Sequence, residues 1–233
     1  MILSWLLQLL TACLLGVAYG DSQEAAKIAR RMVDSESTLH FNTLNPDGTP
    51  VSFIEYYISS DSCPDLQEVS NNGNPILFLS TMSTSYKNWY QRGSMSLAVE
   101  RYGKRRFENA FNQPRANLYG HLRNLTLSDE DQDKLIRCFI RKHPDAHRWL
   151  PGDKHPIIHD TIWVEFDVES LYFIGGFGDR SYIGTLTGDE YHRGIGKLYA
   201  DHGHRDRVMD SNECEKSLWN QFTRFIKTLM IRY

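Results

Sequence analysis

From residue 22 onward the apolar residues of this chain change their spacing repeatedly, and each change marks an element. Ala25, Ile28, Ala29 and Met32 recur at helical intervals, which predicts a helix over 22–33 with Arg30 and Arg31 off its apolar stripe. Ser37–Thr43 switches to two-residue alternation and reads as a strand. Asn45-Pro46-Asp47-Gly48 then supplies a turn, because proline presets φ and glycine accepts a positive one. Val51–Ser59 resumes the alternation, so the two segments predict an antiparallel hairpin. A loop rich in Asp, Ser, Asn, Pro and Gly covers 61–74, and Ile76-Leu77-Phe78-Leu79-Ser80 is a short apolar strand of the buried type.

Ser83–Arg92 predicts a short helix closed by Gly93. Met95–Val99 is a strand, and Arg115–Leu122 is another, with Gly120 marking a bulge. Between them lies a polar loop, 101–113, whose Lys104-Arg105-Arg106 offers a cleavage site to a basic-site protease if the loop is exposed. Ser128 caps a helix with Asp131 at the capping-box position; Leu135, Ile136, Phe139 and Ile140 turn inward, and the helix ends near His143-Pro144. In the strand 161–168, Ile162, Val164, Phe166 and Val168 share one face and Trp163, Glu165 and Asp167 the other. It reads as the final strand and leads into Tyr172–Gly178, where Gly175, Gly176 and Gly178 mark a turn or a close approach of backbone to another surface. Antiparallel strands with helices set between them predict a mainly β fold with peripheral helices, a small barrel rather than a doubly wound parallel sheet.

The beginning of the chain adds a compartment. Ile2–Val17 is apolar except at Ser4, Gln8 and Thr11, and Ala18-Tyr19-Gly20 is a small-x-small cleavage site before the polar Asp21. This predicts a secretory signal peptide over 1–20, too short to favour a stable membrane span. A retained signal anchor is the alternative, since no basic side chain precedes the apolar run. The remaining ~210 residues suit one domain with a real core. A net charge of −3 argues against a general nucleic-acid binder. Cys63, Cys138 and Cys214 follow the leader, which allows at most one internal bridge and leaves its pairing open; their spacing matches no zinc motif. Asn124-Leu125-Thr126 is the only N-x-S/T sequon, so Asn124 is the expected glycosylation site.

Catalytic signatures are sparse. The sequence carries no G-x-S-x-G elbow, and Gly194-Ile195-Gly196-Lys197 matches neither a dinucleotide fingerprint nor a P-loop. His202-Gly203-His204, flanked by Asp201 and Asp206, reads as a polar linker or as a metal or haem ligand. Cys214–Ile231 has helical periodicity, with Leu218, Trp219, Phe222, Phe225, Ile226, Leu229 and Met230 on one face and Arg224, Lys227 and Arg232 giving a basic end. Such a helix docks on the barrel or a dimer partner, or lies on a membrane surface.

Taken in order, a set of short motifs resembles the CREG family, the secreted-glycoprotein branch of the FMN-binding split barrels related to pyridoxamine 5′-phosphate oxidase. They are Ala25–Arg30, Ser37-Thr38-Leu39, Asp47–Ser52, Gly73-Asn74-Pro75, Leu77–Ser80, Lys87-Asn88, Leu118-Tyr119-Gly120, His143-Pro144, Trp149, His159-Asp160 and Tyr172–Gly178. The resemblance covers about residues 24 to 191 and implies a domain over 21–191 with an extension over 192–233. It implies an FMN-binding split β-barrel that forms a homodimer, with cofactor sites at the subunit interface in flavin-binding relatives. In those relatives a Ser-x-Lys element holds the flavin phosphate. Ser85-Tyr86-Lys87 stands at that place, with Ser80 and Thr81 just upstream. A lysine charge, hydroxyls and a helix start suit a phosphate dianion. The resemblance also implies that the animal branch binds no flavin because loop residues obstruct its pocket, a role open here to 101–113. The expectation is therefore a secreted or vacuole/lysosome-directed CREG-like glycoprotein. It would act as a non-catalytic binding or regulatory module for a protein or small-molecule ligand. The competing expectations are an FMN-dependent oxidoreductase with Ser85 and Lys87 on the FMN phosphate, and a haem-binding member using His202 or His204.

Overall fold

Proline and glycine turn the first hairpin where the pattern places it. Strand β1 (Thr38–Leu44) pairs antiparallel with β2 (Pro50–Ser59), Thr38 opposite Tyr56 and Leu44 opposite Pro50. Gly48 adopts φ 86°, and the Asp47 carboxylate accepts from the Thr49 amide at 2.9 Å and its hydroxyl at 2.7 Å. A computed structural model describes residues 22–64, 66, 68–69, 71–101, 109–152, 160–178 and 181–194. The leader 1–20, Lys104–Arg106, His202, His204 and the helix expected over Cys214–Ile231 lie outside them. The chain divides into two units, Met1–Gly196 and Lys197–Tyr233, and all described residues belong to the first.

The remaining strands are β3 (Pro75–Ser80), β4 (Met95–Glu100), β5 (Arg115–Asn124), β6 (Thr161–Ile174) and β7 (Ile183–Thr187). Their order is β3-β2-β1-β4-β5-β6-β7, and pairing of β3 with β6 closes six of them into an antiparallel barrel to which β7 is added. The first part of β6, Thr161–Glu165, pairs with β3; its last part, Ser170–Ile174, pairs with β7; β5 runs beside it from Val164 to Ile174. The bulge falls between Tyr119 and Gly120, as the glycine indicates. A Cβ at Gly120 would stand 1.8 Å from the Asp167 carbonyl oxygen, so the two backbones meet this closely only without a side chain.

Two sequence expectations need correction. The strand expected over 161–168 continues to Ile174, and it is not the last. Strand β7 escapes the pattern because Ile183-Gly184-Thr185-Leu186-Thr187 buries only Leu186 and contains a glycine. Nor does β6 alternate between core and solvent: Trp163, Val164, Glu165 and Phe166 are all buried. The reason is that the sheet is covered on both sides there. One apolar cluster fills the barrel, including Phe41, Leu97, Leu118, Phe166 and Leu171. A second lies outside it, where Ile58, Ile76 and Trp163 meet Leu135 and Phe139.

Helix α1 (Ser22–Ser35) lays Ala25, Ala29 and Met32 on the barrel, and α2 (Thr84–Arg92) is capped by Ser83, which accepts from the Tyr86 amide at 3.1 Å, and ended by Gly93 at φ 69°. Helix α3 (Asp129–Lys142) starts at Ser128, which accepts from the Asp131 amide at 3.2 Å; its acidic first turn and basic last turn suit the helix dipole. A disulfide between Cys63 and Cys138 ties the segment after β2 to α3. Short helix α4 (Gly188–Arg193) begins with a capping box of Thr187 and Glu190. Arg30, expected off the apolar stripe, is 1% exposed. It binds the Asp61 carboxylate through Nε at 2.5 Å and Nη2 at 2.6 Å, and donates to the carbonyls of His192 at 2.8 Å and Tyr191 at 3.3 Å. Among the described residues no helix is long and apolar enough to cross a membrane.

Candidate functional site

The segment from the end of β3 into α2 carries three of the residues singled out as phosphate ligands, each on its own hydrogen-bond partner. The Ser80 hydroxyl accepts from the Met82 amide at 3.3 Å and its carbonyl from the Ser83 amide at 2.9 Å, while the Thr81 amide donates to Asp160 at 2.9 Å. Ser85 is buried and donates its hydroxyl to Glu55 Oε1 at 2.7 Å. Lys87 stands two residues on, about 200° around the helix, and is exposed; it makes no ion pair with a described residue. Asn88 is buried beside Ser85 and anchors α2 to the end of β1, donating to Thr43 Oγ1 and Asn45 Oδ1 at 3.1 Å each.

Glu55 is the residue that the sequence reading missed. It shares its face of β2 with Val51, Phe53 and Tyr57, so a carboxylate at an inward position was the available signal. Burial raises its pKa above the ordinary glutamate value, and the Ser85 hydrogen bond opposes that shift. The residues as placed do not fit a phosphate dianion. The hydroxyl that should donate to it is committed to a carboxylate, which adds negative charge where positive charge is needed.

A second site lies on the outer face of the barrel. Cross-strand pairing aligns Ile54, His40, Ala98, Asn117 and Tyr172 in one row over β2, β1, β4, β5 and β6. The small side chain of Ala98 leaves a pocket of about 230 Å³, walled by Tyr172 and Ile174 on one side and His40 and Glu100 on the other. His40 Nε2 stands 3.7 Å from Glu100 Oε1. Arg115 lines the same pocket and places its guanidinium 5.8 Å from the Phe111 ring centre. The glycine motif supports this edge: a Cβ at Gly176 would meet the Asn112 carbonyl at 3.2 Å, so the loop after β6 packs against the turn carrying Phe111. Gly176 thus makes the close backbone approach, whereas Gly178, at φ 103° and with nothing within 4 Å of a Cβ, serves the turn.

A third polar cluster is structural. Asn74 donates to Glu165 and Asp167 at 3.1 Å each and accepts from the Val168 amide at 3.2 Å, while Arg123 pairs with the fully buried Glu165. Burial is the main influence on Glu165 and raises its pKa, against the opposing effects of Asn74 and Arg123. A carboxyl whose pKa is higher in the folded state contributes stability that is complete below its unfolded value and is lost as pH rises through its folded value. His143, packed on Tyr56 with ring centres 4.3 Å apart and Nε2 2.9 Å from the Tyr57 carbonyl, is shifted the other way: burial lowers its pKa, so its contribution is lost as pH falls below the usual histidine range. The Glu165→Gln variant should therefore gain stability relative to wild type as pH rises from 4.5 to 7.5. Urea midpoints across that range check it, and a constant difference would exclude the linkage.

Among the described residues no group of three or more His, Cys, Asp or Glu side chains is placed to hold a metal ion. A family model described as "CREG, beta-barrel" matches residues 20–193. No curated protein matches the chain. Among solved structures, a heme binding protein from Mycobacterium smegmatis is similar with a TM-score of 0.55 at 19% identity, over 72% of this chain and 60% of that one. A protein of unknown function from Agrobacterium tumefaciens gives 0.51 at 20% identity, over 68% and 61%. ChuZ from Campylobacter jejuni gives 0.50 at 12% identity, over 69% and 61%. The chain thus spans about 60% of the length of each. At these identities the likeness is one of fold.

Proposed function

The chain belongs to the CREG β-barrel family, and from that premise we propose that it is a secreted or vacuole/lysosome-directed homodimeric glycoprotein that binds a ligand without catalysing its conversion. The observation that carries this reading is the outer pocket of about 230 Å³, where the apolar Ala98, Tyr172 and Ile174 stand with the polar His40, Glu100 and Arg115. The secretory route is supported by the leader-like start of the sequence and by the Cys63–Cys138 bridge, a bond that persists in oxidising compartments. Glycosylation is supported by Asn124 and Thr126, both exposed at the end of β5. The homodimer is supported by Ile54, Tyr172 and Ile183, large apolar residues left exposed on the outside of the sheet.

The flavin-dependent alternative draws on Ser80, Thr81, Ser85 and Lys87, and the pairing of Ser85 with Glu55 weighs against it. One experiment separates the readings. The protein secreted from eukaryotic cells should purify colourless, cause no saturable change in the visible spectrum of added FMN or haemin, and lose one glycan in the Asn124→Gln variant. A stoichiometric flavin band would establish the oxidoreductase reading, and a Soret band the haem reading. Either would overturn the proposal.

A further inference from the structure

We propose that Glu55 determines what the start of α2 rejects: it excludes phosphate esters from an element otherwise equipped to hold them. The inference rests on the reading above that the wild-type protein binds no flavin. Helix α2 presents amides at Thr84 and Ser85 that have no carbonyl four residues back within the helix, and its positive end favours an anion. Ser85 adds a hydroxyl to that helix start, while Lys87, about 200° around the helix, lies off its side. Against these stands one carboxylate, brought from the inward face of β2 to 2.7 Å from the Ser85 hydroxyl.

The chemistry of the contact makes the exclusion twofold. Glu55 takes the only hydrogen of the Ser85 hydroxyl, so that oxygen has none to donate to a ligand. Its charge also repels a phosphate oxygen approaching the same helix start. Both effects vanish in the Glu55→Gln variant, which keeps the side-chain shape. Its amide N–H can donate to the Ser85 oxygen, and the hydroxyl hydrogen is then free to turn toward the anion.

The test is quenching of flavin fluorescence by the purified full chain. The wild type should not saturate with FMN. Glu55→Gln should bind FMN at least tenfold more tightly, with riboflavin, which lacks the phosphate, unchanged and inorganic phosphate competing. Adding Ser85→Ala to Glu55→Gln should remove the gain. A folded Glu55→Gln variant that binds FMN no better than wild type overturns the inference and leaves the proposed function standing. An equal gain for riboflavin also overturns it, since the ring rather than the phosphate would then be responsible. Wild-type protein that binds FMN strikes instead at the proposed function. If Glu55→Gln does not fold, Glu55→Thr carries the same comparison.

Discussion

Replacing Arg30 with methionine is expected to destabilise the fold by about 3–5 kcal/mol, the usual consequence of removing one partner of a buried ion pair. The guanidinium is 1% exposed and serves three elements at once. It neutralises Asp61 after β2, satisfies the carbonyls of Tyr191 and His192 on α4, and does so from the middle of α1. Methionine fills much of the volume but leaves a largely buried carboxylate and two acceptors without their donor. The space is also shaped for arginine: Gly73, at φ 83°, would place a Cβ 1.9 Å from Arg30 Nε, and its carbonyl accepts from the Tyr191 hydroxyl at 2.7 Å. Urea unfolding measures the loss. Removing Asp61 as well, in an Arg30→Met/Asp61→Leu double variant, should recover part of it. A single variant within about 1 kcal/mol of wild type would show that the carbonyls and carboxylate find water instead.

The second large effect is expected from the Cys63–Cys138 bridge. Its two cysteines are 75 residues apart in sequence. Closing a loop of that length in the unfolded chain corresponds, in the chain-entropy treatment, to about 4 kcal/mol of stability. The bond also holds α3 against the outer apolar cluster that contains Trp163 and Phe139. The Cys138→Ser variant, or wild type unfolded in the presence of a thiol reductant, should lose stability on that scale. Cys63 is 1% exposed, so reduction of the native protein should be slow and should quicken in denaturant. Equal unfolding midpoints for reduced and oxidised protein would contradict the expectation.

Local patterns disclosed much of this fold. The Asn45–Gly48 turn, the Gly93 stop and the Ser128 cap each depend on neighbours within a few residues, and each stands where the sequence places it. What the sequence concealed depends on distant partners. Arg30 reads as a solvated helical charge until Asp61 and the carbonyls of α4 are brought around it. Trp163 and Glu165 read as an outward face until α3 covers one and Asn74 and Arg123 satisfy the other. The candidate site divided in the same way. Ser80, Thr81 and Ser85 each take a different hydrogen-bond partner, and Glu55 enters from another strand and reverses the electrostatic sense at Ser85.

Strand β6 has one further consequence for the molecule's motions. It is shared by every pairing that closes the sheet: β3 holds its beginning, β7 its end, and β5 nearly its whole length. Releasing either edge partner frees only part of it, so its amides become open to solvent only when the barrel comes apart as a whole. In deuterated solvent the amides of Val164 and Glu165, flanked by both β3 and β5, should be the last of this strand to exchange. They should report the global opening free energy, while those of β7, held on one side only, exchange by local fraying.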